Sequence, residues 1–576
     1  MNMRKLLKYL KHYKVQSVLA PLFKLLEAGF ELIVPLVVAA IIDNGIDGGA
    51  GTGYIVKMCL ILVALGVVGL VSAVSAQYFA ARAAVGFSKE LRHDLFSKMQ
   101  SLSYSQIDGL GTSRMITRMT SDVNQIQSGV NLVLRLFMRS PFIVFGAMIM
   151  AFFISVTAGG VFAVSIAVLC VVVFGIMLAS IPLYKKVQGK LDRVTTATRE
   201  TLTGARVLRA FCKEDEEVAN YAKRNGELTK AQLFVGKISA LMNPLTYAII
   251  NVAIIVLLYV GAIKVDGGTL ARGDVVALYN YMSQILIELI KLANLIITVT
   301  KSFACAGRVN EILEMQPALK HGKSDLIAEN NAFISFKNVC VNYANASVNA
   351  LDGISFDVQR GQTVGIIGGT GAGKTSLVNL IPHFYDVSEG EILINGKNVN
   401  SVGDETLRDL CGIVPQKAVL FEGTIRENMQ WGKNDATDGE IMQAIEAAQA
   451  ADVVKSKEKG LDEKVEQGGK NFSGGQRQRL TIARALVKRP EILILDDSAS
   501  ALDYATDAKL RKSLKELDHN PTVFIVSQRT SSIRHADKII VLDGGKMVGA
   551  GTHDELLKTC DIYREIHFSQ YEKEGT

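Results

Sequence analysis

Two carboxylates at the end of a short apolar run have the clearest chemical potential in the sequence. The run, Ile492–Leu495, indicates a fully buried strand, and it leads directly into Asp496 and Asp497. In α/β domains that hydrolyse nucleotides, acids at the carboxyl end of such a strand hold a metal ion and position a water. We therefore expect Asp496 to face Mg²⁺.

A glycine-rich segment follows another buried strand, at residues 363–367. It fits the pattern G-x-x-x-x-G-K-[ST] between a strand and a helix, in which backbone N–H groups and the helix dipole bind phosphates. We expect Lys374 to reach the β- and γ-phosphates of ATP and the Thr375 hydroxyl to bind Mg²⁺. The residues expected to surround the phosphates are Gly368, Gly369, Thr370, Gly371, Ala372, Gly373, Lys374, Thr375 and Ser376.

A second glycine pair stands at another predicted helix start. This is again a design that binds phosphate. A single domain has no evident need for two such places, so the economical interpretation is that this one serves a nucleotide held by a partner domain. The alternative is a plain helix cap. The residues are Phe472, Ser473, Gly474, Gly475 and Gln476.

Composition limits what surrounds these motifs. The chain has 576 residues and a net charge of +7. Its basic residues do not form a stripe with interleaved aromatic residues, so membrane topology explains them better than nucleic-acid binding. The seven cysteines include no C-x-x-C pair, which indicates reduced thiols facing a cytosol, without a disulfide framework or a zinc site.

The first half of the chain contains long apolar runs that predict six membrane crossings. Basic residues are concentrated between the second and third crossings and between the fourth and fifth, which places those segments and both termini in the cytoplasm. These helices should continue beyond the bilayer and turn near Ser105–Gly111 and Gly204–Phe211. The runs are residues 18–42, 58–81, 140–184 as two helices broken at Thr157–Gly160, 238–263 and 275–300.

The extreme N-terminus precedes these crossings. This stretch alternates basic residues with leucines, which predicts an amphipathic helix on the membrane surface. The basic residues are Arg4, Lys5, Lys8, Lys11 and Lys14. A short apolar core followed by a small-residue cleavage site is missing from this stretch, so we do not expect a signal peptide.

Charged and polar residues share one face of the first crossing and one face of the sixth. Charges inside a membrane are costly and usually face a protein interior or a water-filled cavity, so these residues are candidates for lining a cargo cavity. The alternative is that each lysine pairs with the glutamate three residues away and fixes helix packing. The candidates are Lys24, Glu27, Glu31, Asn280, Gln284, Glu288 and Lys291.

The second half resembles the nucleotide-binding domain of an ABC transporter. The glycine-rich loop, Gln416, the FSGGQ segment, the acidic strand and Ser500–Asp503 occur in the order typical of that family. The resemblance implies that Tyr343 stacks on adenine, that Gln416 contacts the metal and nucleotide, and that Asp503 lies at the nucleotide. It also implies ATP and Mg²⁺ as cofactors and two ATP molecules held head to tail between two such domains.

The membrane half resembles the ABC exporters, so the likeness covers nearly the whole chain. The fold class expected is multi-domain, with an all-α domain of six transmembrane helices and an α/β P-loop NTPase domain. We predict a transmembrane domain at residues 1–315, a linker at 316–331 and a nucleotide-binding domain at 332–576. The resemblance places the protein in the cell membrane as a multi-pass protein with the nucleotide-binding domain in the cytoplasm.

Two positions depart from the family pattern. Members that hydrolyse ATP well carry Glu where this chain has Asp497, and His where it has Gln528. Such a combination resembles one subunit of a heterodimeric exporter, with a degenerate ATP site of its own and an intact FSGGQ segment that serves the partner's ATP. The expected cargo is an amphipathic small molecule of the multidrug type. The alternatives are a homodimeric exporter or flippase of lipid or peptide, and a receptor or gated pore that uses ATP as a ligand.

Overall fold

The computed structural model describes residues 5–319, 322, 332–343 and 348–571. It separates into two compact units. The first contains the residues up to Gln100 together with Ser113–Met315, and the second contains Ser101–Thr112 together with the chain from Gln316 onward. Arg4 of the predicted N-terminal helix, and residues 320, 321 and 323–331 of the predicted linker, lie outside the described residues.

The chain up to Glu314 is helical, because its long apolar runs bury their backbone polar groups in helical hydrogen bonds. A 3₁₀ segment at Leu7–Tyr13 comes first, where an amphipathic helix was predicted, and π-helical turns occur at Ile41–Asp47 and Arg118–Asp122. The α-helices are α1 (Lys14–Ala40), α2 (Thr52–Gln100), α3 (Tyr104–Leu110), α4 (Thr112–Thr117), α5 (Val123–Leu136), α6 (Arg139–Ile154), α7 (Val156–Thr203), α8 (Ala205–Ala210), α9 (Glu214–Ala240), α10 (Met242–Asp266) and α11 (Arg272–Glu314).

Six helical segments among the described residues are long and apolar enough to cross a membrane, which confirms the predicted number. The short helices α3 and α8 lie where the sequence predicts turns between long helices. The predicted break at Thr157–Gly160 is wrong, because Ser155 has the extended conformation that separates α6 from α7. The glycines instead lie in the first turns of α7, where a Cβ on Gly159 would overlap the ring of Phe152 at 2.4 Å.

The second unit contains two larger sheets and a two-stranded one. A six-stranded sheet has the order β12-β11-β3-β10-β9-β6, and an antiparallel four-stranded sheet has the order β2-β1-β4-β5. The strands are β1 (Ile334–Val341), β2 (Leu351–Val358), β3 (Thr363–Gly368), β4 (Glu389–Ile394), β5 (Lys397–Asn398), β6 (Cys411–Val414), β7 (Gly423–Thr424), β8 (Lys464–Val465), β9 (Ile492–Asp496), β10 (Thr522–Val526), β11 (Lys538–Asp543) and β12 (Lys546–Gly551).

Helices cover the six-stranded sheet, whose central strands β9 and β10 are buried along their whole length. Such continuous apolar strands are typical of parallel sheets with both faces covered. The helices are α12 (Lys374–Asn379), α13 (Asp404–Leu410), α14 (Ile425–Gln430), α15 (Asp438–Ala447), α16 (Ala451–Lys455), α17 (Gly474–Val487), α18 (Tyr504–Lys515), α19 (Thr530–Ile533), α20 (His553–Thr559) and α21 (Asp561–Tyr571), with 3₁₀ turns at Val399–Ser401, Gly460–Asp462 and Gln467–Gly469.

Helix α3 belongs to the second unit, although it lies between helices of the first in the sequence. The Tyr104 ring lies 4.5 Å from that of Phe384 between centroids, and the Tyr385 hydroxyl donates to Asp108 at 2.7 Å. Burial, followed by the bond to Asp108, raises the pKa of Tyr385, so the phenol stays a hydrogen-bond donor at neutral pH. These contacts fix the predicted turn at Ser105–Gly111 as an ordered part of this unit.

Candidate functional site

Five parallel strands of the six-stranded sheet end at one edge, in the order β11, β3, β10, β9 and β6. Val526 of β10 lies opposite Ile366 of β3 on one side and Asp496 of β9 on the other. The residues that follow these strands therefore meet at the same edge, which is where open α/β sheets bind ligands. This topology places the glycine-rich loop, Gln528, Asp497 and Gln416 together.

The phosphate loop, Gly368–Thr375, has the backbone that its glycines allow. Gly371 and Gly373 have φ of +82° and +94°, in the left-handed region that favours glycine. A Cβ on Gly373 would lie 2.5 Å from the carbonyl oxygen of Ala350, whereas a Cβ on Gly369 or Gly371 would meet nothing within 4 Å. The loop is therefore closely packed against Ala350 at Gly373 and open at Gly369 and Gly371, which leaves room for the phosphates of a nucleotide.

Lys374 turns back over this loop. Its Nζ donates to the carbonyl oxygens of Gly368 at 2.8 Å and Gly369 at 2.7 Å. Burial lowers the pKa of Lys374, and the nearby charges of Asp497 and Asp496 partly oppose that shift. The positive charge is thus held at the place where phosphate oxygens are expected.

The two acids after β9 have different surroundings. Asp496 is 6% exposed and accepts a hydrogen bond from the Thr375 hydroxyl at 3.0 Å. Asp497 has a positive φ of 46° and accepts from Gln416 Nε2 across a long 3.5 Å. Burial raises the pKa of both carboxyls. The structure therefore brings Thr375, Asp496, Asp497 and Gln416 together, as predicted.

These groups suit a magnesium ion that also binds a nucleotide. Hydroxyl, carboxylate and amide oxygens are hard ligands, and Mg²⁺ usually takes only one or two carboxylates and completes its shell with waters and phosphates. Among the described residues, no cluster of three or more His, Cys, Asp or Glu side chains could hold a metal ion by itself. The residues present therefore fit Mg²⁺ carried with ATP.

Gln528 is exposed and follows the central strand β10. A side chain that the sequence did not single out fixes its backbone. The Gln570 Nε2 donates to the Gln528 carbonyl oxygen at 2.8 Å, and Gln570 Oε1 accepts from the Thr530 backbone N–H at 3.0 Å. Gln570 lies 42 residues away on α21 without any local motif, so no sequence signal pointed to it.

Tyr343 and Asp503, which the family resemblance assigns to the nucleotide, have structural partners within the chain. The Tyr343 hydroxyl donates to Ser376 at 2.9 Å, and its ring meets that of Tyr385 edge-on at 5.3 Å. Asp503 caps α18 by accepting from the Thr506 backbone N–H at 2.8 Å. The nucleotide contacts predicted for these residues stay predictions.

The signature segment, Phe472–Gln476, forms the start of α17. Ser473 and Gln476 bond to each other in a capping box, with Gln476 Oε1 accepting from the Ser473 backbone N–H at 2.9 Å. Phe472 is buried, whereas Ser473 and Gly474 are exposed, and a Cβ on Gly474 would meet nothing within 4 Å. Within the described ranges, no hydrogen bond links this segment to the phosphate loop. The segment is thus an open helix N-terminus on the surface.

Six charged residues of the first unit form one connected set, here called the charge network: Lys24, Glu27, Glu31, Arg139, Glu288 and Lys291. Lys24 Nζ lies 2.5 Å from Glu27 Oε2, and Lys291 Nζ lies 2.8 Å from Glu288 Oε1, which is the pairing described by the packing alternative; whether these residues line a cargo cavity stays a prediction. Glu288 is only 3% exposed. Gln284 Oε1 is buried without a hydrogen-bond partner, and Asn280 is half-buried.

Arg139 stands at the centre of the charge network and was missed by the sequence analysis. Its guanidinium donates to Glu288 Oε1 at 2.6 Å and to Glu31 Oε2 at 2.7 Å, and it lies 3.8 Å from Glu27. The Ser140 hydroxyl donates to the other Glu288 oxygen at 2.8 Å. These contacts join α1, α6 and α11. The only sequence signal was an arginine directly before a long uncharged run.

Comparisons with known proteins agree with this architecture. Residues 17–289 match the family model described as the ABC transporter transmembrane region, and residues 351–500 match the one described as ABC transporter. The chain is 33% identical to the uncharacterized ABC transporter ATP-binding protein YfiB of Bacillus subtilis, with 100% of both chains covered. It is 30% identical to the putative multidrug export ATP-binding/permease protein YgaD of the same organism, with 98% of each covered.

Two further comparisons extend this picture. The ATP-dependent lipid A-core flippase of Desulfotalea psychrophila is 31% identical over 84% of each chain. Among solved structures, a bacterial Atm1-family ABC exporter with ATP bound has a TM-score of 0.80 and 24% identity, and the match covers 98% of this chain and 99% of that one. The fold is therefore that of a membrane domain fused to a nucleotide-binding domain.

Proposed function

The chain belongs to the ABC transporter family, and we propose that it is one subunit of a heterodimeric exporter whose own ATP site binds ATP but cleaves it poorly. The observation that carries the proposal is the pair Asp497 and Gln528, at the two positions closest to the expected hydrolytic water. The signature segment is intact. The chain would then support hydrolysis mainly at the partner's ATP.

Geometry supports slow hydrolysis at this site. Asp in place of Glu withdraws the carboxylate by roughly 1.5 Å, one C–C bond. A displacement of about 1 Å in a catalytic group can cost on the order of 10²-fold in rate. Asp497 makes only a long 3.5 Å contact with Gln416, so its carboxylate is weakly held for orienting a water. Gln528 can bond a phosphate oxygen but carries no charge.

In this proposal the chain's residues divide the work of binding. The backbone N–H groups of the phosphate loop and Lys374 bind the phosphates, Thr375 and Asp496 hold the metal, and Tyr343 stacks on the base. When bound with ATP, Mg²⁺ neutralises phosphate charge. ATP has higher affinity for the closed pair of nucleotide domains, and this differential affinity drives the change in the membrane helices through the turns at Ser105–Gly111 and Gly204–Phe211.

The cargo we propose is an amphipathic small molecule, moved out of the cytoplasm across the cell membrane. A relative of similar length is named for multidrug export, which favours this class. Both termini and the nucleotide-binding domain would lie in the cytoplasm, since basic residues are concentrated between the second and third crossings and between the fourth and fifth.

The test is the ATPase activity of the chain purified alone and together with a homologous half-transporter that carries Glu and His at the two positions. We expect little activity from the chain alone and at least tenfold more from the pair. Replacing the partner's catalytic Glu by Gln should remove the pair's activity. Robust hydrolysis by the chain alone would contradict the proposal.

A homodimeric flippase of lipid or peptide is the second candidate, because one relative is named a lipid A-core flippase. Light scattering of the chain with ATP separates the two candidates. A stable homodimer that also hydrolyses ATP and moves a fluorescent phospholipid between leaflets would support the flippase. A chain that dimerises only with its homologue would support the heterodimer.

A further inference from the structure

The charge network of the first unit is balanced by its own members. Each of its carboxylates lies within ion-pair distance of at least one cation, and each cation has a carboxylate. The network holds as many carboxylates as cations and is electrically neutral. Its members are Lys24, Arg139, Lys291, Glu27, Glu31 and Glu288. A further charge close to them therefore has no counter-ion within the network.

Arg135 is that charge. It lies on α5, four residues before Arg139, and is half-buried. Its Nε is buried and has no hydrogen-bond partner, and in the part of the chain that the structure describes Arg135 forms no ion pair. An unpaired guanidinium beside an apolar span is costly, and such charges usually mark a site for a ligand or a path for a substrate.

Arg135 faces a cavity of about 410 Å³. The polar groups of the cavity are two cations, a phenol and an amide. Two aliphatic residues of α2 complete the lining, which contains no carboxylate. The polar residues of α2 lie near the end of the uncharged run 58–81, while the aliphatic ones lie deeper in that run. The lining residues are Lys24, Arg135, Tyr78, Gln77, Ala73 and Val74.

We propose that this cavity, here called the Arg135 cavity, binds the anionic head of an amphipathic molecule. A guanidinium forms charge-assisted, often bidentate, hydrogen bonds with phosphate, sulfonate or carboxylate, and no carboxylate lines the cavity to compete for Arg135. The apolar tail lies along Ala73 and Val74 toward the membrane interior. The inference rests on the proposed export function, since it specifies the charge class of the cargo.

The anionic head in the Arg135 cavity has two possible sources, which are the cargo itself and an anionic membrane lipid. The probe is octyl phosphate, and its matched opposite is octyltrimethylammonium, which has the same tail and a positive head. Binding is measured by titration calorimetry to the full chain in phosphatidylcholine nanodiscs without nucleotide or partner subunit, with empty nanodiscs subtracted. We expect octyl phosphate to bind at least about tenfold more tightly than octyltrimethylammonium.

Variants at Arg135 identify the site. Arg135→Gln should weaken octyl phosphate binding about tenfold and leave octyltrimethylammonium unchanged, because it removes one charge-assisted contact. Arg135→Lys keeps the charge but loses the bidentate geometry, so its affinity for octyl phosphate should lie between that of the unaltered chain and that of Arg135→Gln. Arg224→Gln removes an exposed arginine of α9 and is the matched control, which should bind as the unaltered chain does.

Each outcome decides the inference. Equal affinity for the two amphiphiles, or unchanged octyl phosphate binding in Arg135→Gln, would overturn it. If Arg135→Gln does not fold, rising NaCl should still weaken octyl phosphate binding to the unaltered chain, and a salt-independent affinity would equally overturn it. Competition by phosphatidylglycerol in the nanodiscs supports a lipid head as the occupant, and binding unaffected by that lipid supports a cargo. Because no nucleotide is present, these results are independent of the ATPase test.

Discussion

Two helix N-termini of the second unit follow glycine-rich sequence, yet their surroundings differ. Before α12, Lys374 bonds to carbonyl oxygens of the phosphate loop and Thr375 bonds to Asp496. Before α17, Ser473 is bonded within its own cap, and Gly474 faces open space. In the described ranges no carboxylate or ammonium group is bonded to Ser473 or Gly474. The first helix start therefore has charged partners of its own, whereas the second has none among the described residues, as the proposed composite site requires.

Under the proposed function, this difference means that the chain binds ATP at one helix start and supports hydrolysis of the partner's ATP at the other. Backbone geometry and charge complete the α12 site for a nucleotide, but its water-orienting residues are the shorter Asp497 and the neutral Gln528. The α17 site has the intact segment but no charges to hold a nucleotide alone. The predictions below test whether the two sites can be separated experimentally.

The largest expected effect is at the open site. Gly474→Asp places a carboxylate where the partner's phosphate is expected, and we predict at least a 100-fold loss of ATPase in the heterodimer, the order expected when a preorganised donor site is lost. Binding of a fluorescent ATP analogue to this chain's α12 site should be unchanged. Gly439→Asp, also an exposed glycine in the first turn of a helix, is the matched control and should keep full activity.

The next effect concerns the residues that limit the α12 site. With the partner's catalytic Glu replaced by Gln, the double change Asp497→Glu and Gln528→His should raise phosphate release by about tenfold or more, since a displacement near 1 Å costs about 10²-fold. In the normal pair, Asp497→Asn should change turnover by less than about twofold, because this site contributes little. Loss of turnover with Asp497→Asn would show that both sites hydrolyse ATP in the normal pair.

A smaller effect tests the packing of the phosphate loop. Gly373→Ala should destabilise the second unit by about 2–5 kcal/mol, because the φ of +94° is strained for Ala and the new Cβ meets Ala350. Gly371→Ala has a similar φ but open space, and should cost about 1–2 kcal/mol. Urea unfolding, followed by the fluorescence of the single tryptophan, Trp431, measures both. Equal losses would show that the close contact is unimportant.

The smallest expected effect is a dependence of folding stability on pH. It is expected at the α12 site, through two histidines near Gln570, and not at the α17 site. His553 and His567 lie 5.1 Å apart between ring centroids near Gln570, and burial lowers the pKa of both imidazoles. With a lowered pKa in the folded state, these histidines bind protons more readily in the unfolded chain than in the folded one. The free energy of unfolding should therefore fall as the pH drops below about 6.5, the pKa of an unperturbed histidine.

Urea midpoints at pH 7.5 and 5.5 measure this dependence. His567→Gln should reduce the difference between the two midpoints, since it removes one group that must be protonated on unfolding. His93→Gln, at an exposed position of α2, is the control and should leave the difference unchanged. A midpoint that rises on acidification would contradict the assignment.

Local patterns predicted much of the molecule. Six crossings and two short turns between long helices follow from hydropathy, whereas the grouping of Thr375, Asp496 and Gln416 was expected from motifs and from the family resemblance. The hairpin at Ser155 was misplaced because the nearby glycines serve close helix packing rather than the turn. A pattern along the chain carries no information about such spatial neighbours.

Contacts between residues far apart in the sequence were the other feature that the sequence did not predict. Arg139 joins Glu31 and Glu288, which are 108 and 149 residues away, and Gln570 reaches Gln528 from the last described helix. Neither residue lies in a motif. Such partners are chosen by how helices pack, so only the three-dimensional structure reveals them.

The placement of α3 has a consequence for synthesis of the chain. Ser101–Thr112 is compact with the second unit, but it is translated roughly 270 residues before Phe384, which means about 15–55 s earlier at 5–20 residues per second. During that interval the Tyr104 ring lacks the Phe384 ring that packs against it. In a chain still on the ribosome, or truncated before Phe384, this part of the second unit therefore cannot form, although α3 has already been made.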